Sequence, residues 1–134
     1  THVEFNLKLR GKPSELKVHG AAELIVQMMD KLVDNAADFC PNNGCIELGL
    51  YRRNNELVIP VHTEGPPLPK HMHGQLFDSM VSVRGNQESE SQNHHLGLGL
   101  YIVRLISDFH CGRVQGYNVP DNSGVIFEVS FPAA

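Results

Sequence analysis

The spacing of the apolar residues changes five times along this chain, and the order of those spacings leaves room for few folds. Val3, Phe5, Leu7 and Leu9 alternate with Glu4, Asn6 and Lys8, the period of two of a half-buried strand. From Ala21 the period lengthens: Ile25, Met29, Leu32 and Ala36 recur at helical spacing until Pro41, which predicts a helix over about 21–39. Asn42-Asn43-Gly44 is turn chemistry. Ile46, Leu48 and Leu50 then share one face of a strand, and Arg53-Asn54-Asn55 turns the chain into another, Glu56 to His62. Pro60 has no N–H for a ladder, so this strand is expected at a sheet edge or bulged. Between Thr63 and Leu96 periodicity stops, apart from an apolar knot at Leu76, Phe77, Met80 and Val81. Ser82 to His95 is too rich in Ser, Asn, Gln and Glu to order itself by burial, the composition of a functional lid or of plain disorder. A second stripe, Leu98, Ile102, Leu105 and Phe109, marks a helix, with Leu98, Ile102 and Leu105 read as core, and Gly112 after it is expected to be the left-handed cap. Arg113 to Tyr117 and Val125 to Phe131 are closing strands joined by a turn over 120–124.

Strand, helix, hairpin, long loop, helix, hairpin is not the alternation that builds a parallel doubly wound sheet. It predicts an α+β domain: helices on one face of a mostly antiparallel sheet of about five strands. A length of 134 residues suits one such domain and not two. A net charge of -4 without a basic block argues against a reader of nucleic-acid phosphates. The longest mostly apolar stretch, Leu96 to Ile106, falls short of the roughly 20 residues a membrane helix needs, so no direct membrane contact is expected. Cys40, Cys45 and Cys111 fit no disulfide or zinc scaffold, which favours a reducing, cytoplasmic setting. His71, His73, His94 and His95 have no Cys or carboxylate at structural zinc spacing. The start at Thr1, without methionine or signal peptide, suggests a piece of a longer polypeptide.

Two features carry possible chemistry. Leu96-Gly97-Leu98-Gly99-Leu100 is read as opening a helix, where glycines let backbone N–H groups approach an anion and the helix dipole adds about half a positive charge. The same pair of glycines also serves as a packing or turn device. On the first helix, Lys31, Asn35 and Asp38 share one stripe, which is either a solvated face or the setting for an amide oxygen, a hard neutral ligand that Mg²⁺ accepts.

Taken in order, Leu32 to Phe39 around Asn35, Glu64-Gly65-Pro66-Pro67-Leu68-Pro69, Leu76-Phe77-Asp78, Leu96 to Leu100 and Gly124 to Phe127 resemble the boxes of the ATP-binding catalytic domain of sensor histidine kinases. That family shares an ATPase superfamily with gyrase, the MutL repair proteins and a heat-shock chaperone. The resemblance covers nearly the whole chain, 1–134, and implies a Bergerat-type two-layer α/β sandwich with an ATP lid at about 79–96. It implies Mg²⁺-ATP as ligand, with Asn35 holding the metal. Around the nucleotide it places Asp38, Phe39, Thr63, Gly65, Leu68 and Phe77, and it makes Leu96, Gly97, Leu98, Gly99 and Leu100 the phosphate-binding box. The implied reaction moves the terminal phosphoryl group to a histidine on a dimerisation domain preceding this chain. A response regulator follows as partner, and the full-length protein is expected to be a homodimeric inner-membrane sensor with this domain in the cytoplasm.

The chain also departs from the pattern. Thr63 replaces the acidic adenine anchor, with Glu64 one residue later, and Pro67 replaces a glycine. Lys31 stands where ATP-hydrolysing relatives place a water-activating glutamate, which suits transfer better than hydrolysis. Asp38 and His95 stand where a lysine and a glycine are usual, so positive charge must come from Lys31, His94, His95 or Arg84. Arg84 is favoured for the terminal phosphate because its guanidinium fork matches phosphate oxygens. The departures leave open a module that keeps the fold but transfers nothing.

Overall fold

The computed structural model describes residues 3–11, 18, 20–68 and 90–133, the side chains of 90–98 excepted. Within them the order is strand β1 (Glu4–Leu9), helix α1 (Ala22–Phe39), strands β2 (Cys45–Arg53) and β3 (Glu56–Glu64), helix α2 (Glu90–Phe109), and strands β4 (Arg113–Asn118) and β5 (Gly124–Pro132). The sheet runs β1-β2-β3-β5-β4, with β1 parallel to β2 and the other pairings antiparallel. Asn43, Asn54 and Asn122 take the left-handed conformation at the three turns, where their short polar side chains tolerate it.

Both helices lie on one face. Met28, Leu32 and Ala36 of α1 and Leu100, Val103 and Ile106 of α2 pack on Val61, Val125, Phe127 and Val129 of the central strands. Each large side chain so buried contributes about 1.5–3 kcal/mol. The core face of α2 is therefore rotated from the predicted stripe: Leu105 and Phe109 are exposed. The sequence from Leu100 to Ile106 is apolar nearly all round, so more than one stripe has helical spacing, and packing chooses between them. β1 differs too. It forms where predicted, but all six residues are exposed because α1 and α2 cover the strands farther in.

Pro60 sits neither at an edge nor in a bulge. β3 is central, and its ladder to β2 is interrupted opposite Gly49 and resumes in the same register at Tyr51↔Val58. Gly49 makes the room, since a Cβ there would stand 2.9 Å from the proline ring.

The left-handed residue after α2 is Cys111 and not Gly112. Cys111 N–H donates to Asp108 O (3.1 Å) and Gly112 N–H to Ser107 O (2.8 Å), the paired bonds of a Schellman end. Gly112 is needed for a different reason, because a Cβ would meet the Ser130 carbonyl and the Phe131 ring. Just before it, His110 ties the helices together: Nδ1–H donates to Ile106 O (2.7 Å), and Nε2 accepts from the Ala21 N–H (3.0 Å) at the start of α1. On the open sheet face, buried Glu128 accepts from Arg53 (3.1 Å) and from the Tyr117 hydroxyl (2.8 Å).

Candidate active site

Three segments converge on the C-terminal half of α1. At Lys31, α2 passes so closely that a Cβ on Gly99 would be 3.8 Å from the lysine Cδ. At Ala36, the Thr63 hydroxyl at the end of β3 lies 3.1 Å from the backbone carbonyl, with Glu64 O equally near. At Phe39, the loop after β3 crosses the helix end: Gly65 has φ +149°, and a Cβ there would meet Phe39 O at 2.7 Å. Only glycine combines that backbone angle with that approach.

Asn35 lies between these contacts. It is 2% exposed, and neither its Oδ1 nor its Nδ2 has a hydrogen-bond partner among the described residues. A buried amide left unpaired costs about 1–3 kcal/mol, so the position demands a polar occupant. Its oxygen is a hard, neutral donor, which fits Mg²⁺; carboxylates are not gathered around it, since no group of three His, Cys, Asp or Glu able to hold a metal occurs among the described residues. Lys31, one turn earlier, is half-buried, and Asp38 is exposed.

Thr63 is fully buried, and its one hydroxyl proton goes to the Ala36 or the Glu64 carbonyl, each 3.1 Å away, so its oxygen keeps lone pairs for an incoming donor. Beside it, burial pushes the Cys40 thiol up from its usual range, with the Thr63 hydroxyl opposing and the Glu64 charge adding, which leaves a protonated core thiol. Glu64 is committed elsewhere: its Oε1 accepts from the Cys45 N–H at 2.6 Å, holding the end of β3 to the start of β2. Leu68 is a core residue, fixed by an amide clamp in which its N–H donates to Asn118 Oδ1 (2.7 Å) and its carbonyl accepts from Asn118 Nδ2 (3.1 Å). Asn118 was invisible to pattern reading, being a single polar residue ending a strand. Phe39 stacks obliquely on Phe127, ring centroids 5.8 Å apart. Leu100 is wholly buried core.

α2 departs from expectation at its start. It begins at Glu90, inside the segment read as lid, so Gly97 and Gly99 lie within the helix and do not open it. No proline or glycine interrupts 90–96, and Glu90 and Gln92 are good helix formers, which lets this polar stretch belong to the helix. Phe77 and Arg84 lie outside the described residues, as do the side chains of Leu96 and Leu98.

Comparison with known proteins gives the family and the fold. Residues 20–134 match the family model described as histidine kinase-, DNA gyrase B-, and HSP90-like ATPase, and the chain belongs to that family of ATP-binding domains. It is similar to the sensor protein ChvG of Agrobacterium fabrum, 32% identical over 129 residues that cover 92% of this chain and 21% of ChvG. Sensor protein KdpD of Clostridium acetobutylicum is 30% identical over 81% of this chain, which spans 12% of KdpD. The catalytic domain of the histidine kinase ThkA, nucleotide-free, superposes with a TM-score of 0.78 at 25% identity, covering 97% of this chain and 79% of that one. ThkA in complex with the response regulator protein TrrA superposes at 0.76, with 24% identity over 98% of this chain and 34% of that one. Among the described residues no helix is long and apolar enough to cross a membrane.

Proposed function

We propose that this chain is the ATP-binding catalytic domain of a two-component sensor histidine kinase. It binds Mg²⁺-ATP and passes the terminal phosphoryl group to a histidine on a dimerisation domain outside this chain, from which a response regulator draws it. The observation that carries this reading is the buried, unpartnered amide of Asn35 on the helix that Gly99, Thr63 and Gly65 all approach.

Phosphoryl transfer asks little covalent chemistry of a protein; it asks that donor and acceptor be held in line while charge is neutralised. When bound, Mg²⁺ supplies that neutralisation across the phosphates. Asn35 Oδ1 would hold the metal as a single hard, neutral ligand, the kind of sparse protein ligation Mg²⁺ accepts. Lys31, beside Gly99, adds positive charge to the same wall, and Arg84 is assigned to the terminal phosphate. Thr63 presents hydroxyl lone pairs to the adenine amino group, while Phe39, Leu68 and Phe77 bound the base. Gly97 and Gly99 offer their N–H groups to phosphate only where the helix starts at them, so binding goes with opening of the turns over 90–96. With lysine in place of a glutamate one turn before Asn35, that position supplies no base for water, and transfer to a protein side chain is favoured over hydrolysis. The domain acts in the cytoplasm as part of a homodimeric membrane sensor.

Titration calorimetry with Mg²⁺-ADP tests the site. The chain is expected to bind, and Asn35→Ala to weaken binding by about a hundredfold, to the level the unaltered chain shows in EDTA. Equal heats from both proteins would remove the metal from Asn35.

A further inference from the structure

β1 ends the sheet, pairing with β2 on one side and, among the described residues, with nothing on the other. Glu4 N–H donates to Gly44 O (3.0 Å) and Arg10 N–H to Leu50 O (2.9 Å). Strand geometry alternates, so the even-numbered residues turn their backbone polar groups towards β2, and Phe5, Leu7 and Leu9 turn theirs outward. Their side chains are uncovered as well, at 50%, 66% and 59% exposure. No proline interrupts this edge, and unpaired N–H and C=O groups beside an apolar row are a template for another strand.

The geometry points to a second copy of this chain as the occupant: two β1 strands pair antiparallel, edge to edge, about a two-fold axis at Asn6. The strand is complementary to itself in that register. Glu4 faces the partner's Lys8, and Lys8 faces the partner's Glu4. Phe5 faces the partner's Leu7, and Val3 faces the partner's Leu9. Backbone and side chains agree on the register: the outward-turned residues form the hydrogen-bonded pairs, and Glu4 and Lys8 fall in the closer non-hydrogen-bonded pairs, where opposite charges interact best. Sliding two residues one way sets Glu4 against Asn6; sliding the other way sets it against Arg10 and leaves Lys8 facing Asn6. Only the register about Asn6 gives both charges a partner within β1. Lys8 lies 3.3 Å from Glu47 with its side chain 59% exposed, so its ammonium has room for a second carboxylate. A single strand pairing is small, so the dimer is weak, with a Kd on the order of 100 μM. The contact is independent of the nucleotide reading and needs only this chain.

Sedimentation equilibrium of the 134-residue chain up to millimolar concentration reads the association directly. A reversible monomer–dimer equilibrium is expected. Leu7→Pro removes an outward N–H that the β2 ladder does not use, and should give a monomer with an unchanged circular dichroism spectrum. Glu4→Lys and Lys8→Glu each set like charges across the axis and should weaken self-association by about tenfold. Mixed, the two variants present opposite charges to each other, and a heterodimer should form about as strongly as the unaltered dimer. A monomer at every concentration overturns the proposal. So does a dimer that ignores Leu7→Pro, or charge variants that fail to complement on mixing.

Discussion

At the scale of single residues, two buried polar side chains are treated in opposite ways, though His62 Nε2 and Ser107 Oγ are, like the Asn35 amide, without a described partner. Asn35 has no described partner, whereas Glu128, equally buried, takes hydrogen bonds from both Arg53 and Tyr117. Burial and the Glu128 carboxylate together push the Tyr117 hydroxyl up to about 12. Because the folded value lies above the roughly 10 of an unfolded tyrosine, the stabilisation is complete below pH 10 and is lost as pH rises through 12. The difference between alkaline absorbance titrations of the chain and of Tyr117→Phe should show one phenol ionising near 12, moved back towards 10 by Glu128→Gln; a difference titrating at 10 in the unaltered chain would refute the pairing. Sequence reading could single out Asn35 because it stands in a motif. It could not find Asn118 or the Tyr117–Glu128–Arg53 cluster, since those contacts join residues far apart in the chain and follow no periodicity.

Among the elements, α1 and the two hairpins were legible within a residue or two, because their periods are regular and Pro41 and the asparagine turns punctuate them. Three readings failed for reasons of packing. Pro60 is central because Gly49 yields space, β1 is bare because, among the described residues, α1 and α2 pack on the strands farther in, and the core face of α2 was ambiguous in an all-round apolar sequence. The start of α2 matters most for function. Gly99 sits inside the helix with ordinary van der Waals room for a methyl group, and Gly→Ala there should stabilise the helix by about 1 kcal/mol. Gly99→Ala is therefore expected to melt a few degrees higher, roughly 3–4 °C, while binding Mg²⁺-ADP more weakly, because the stiffened helix resists opening. A calorimetric scan and a binding titration check both halves; a variant that gains stability and keeps full affinity would mean that the phosphates do not use this segment.

On the scale of the whole molecule, the sheet is a floor on which α1 and α2 lie side by side, and the segments that approach Asn35 do so where the two helices and the end of β3 meet. A chain of net charge -4 that takes up a nucleotide needs compensating positive charge, which is why the reading rests on a metal at Asn35 aided by Lys31 and Arg84. The central claim is that the amide and the glycine segment border one cleft. Replacing Mg²⁺ by paramagnetic Mn²⁺ tests it most directly: in the amide spectrum of the chain with Mn²⁺-ADP, the signals of Asn35, Thr63, Gly97 and Gly99 should broaden away while those of β1 and of the Asn54–Asn55 turn persist. Sharp signals at Asn35 and Gly99 alongside losses elsewhere on the molecule would contradict the account.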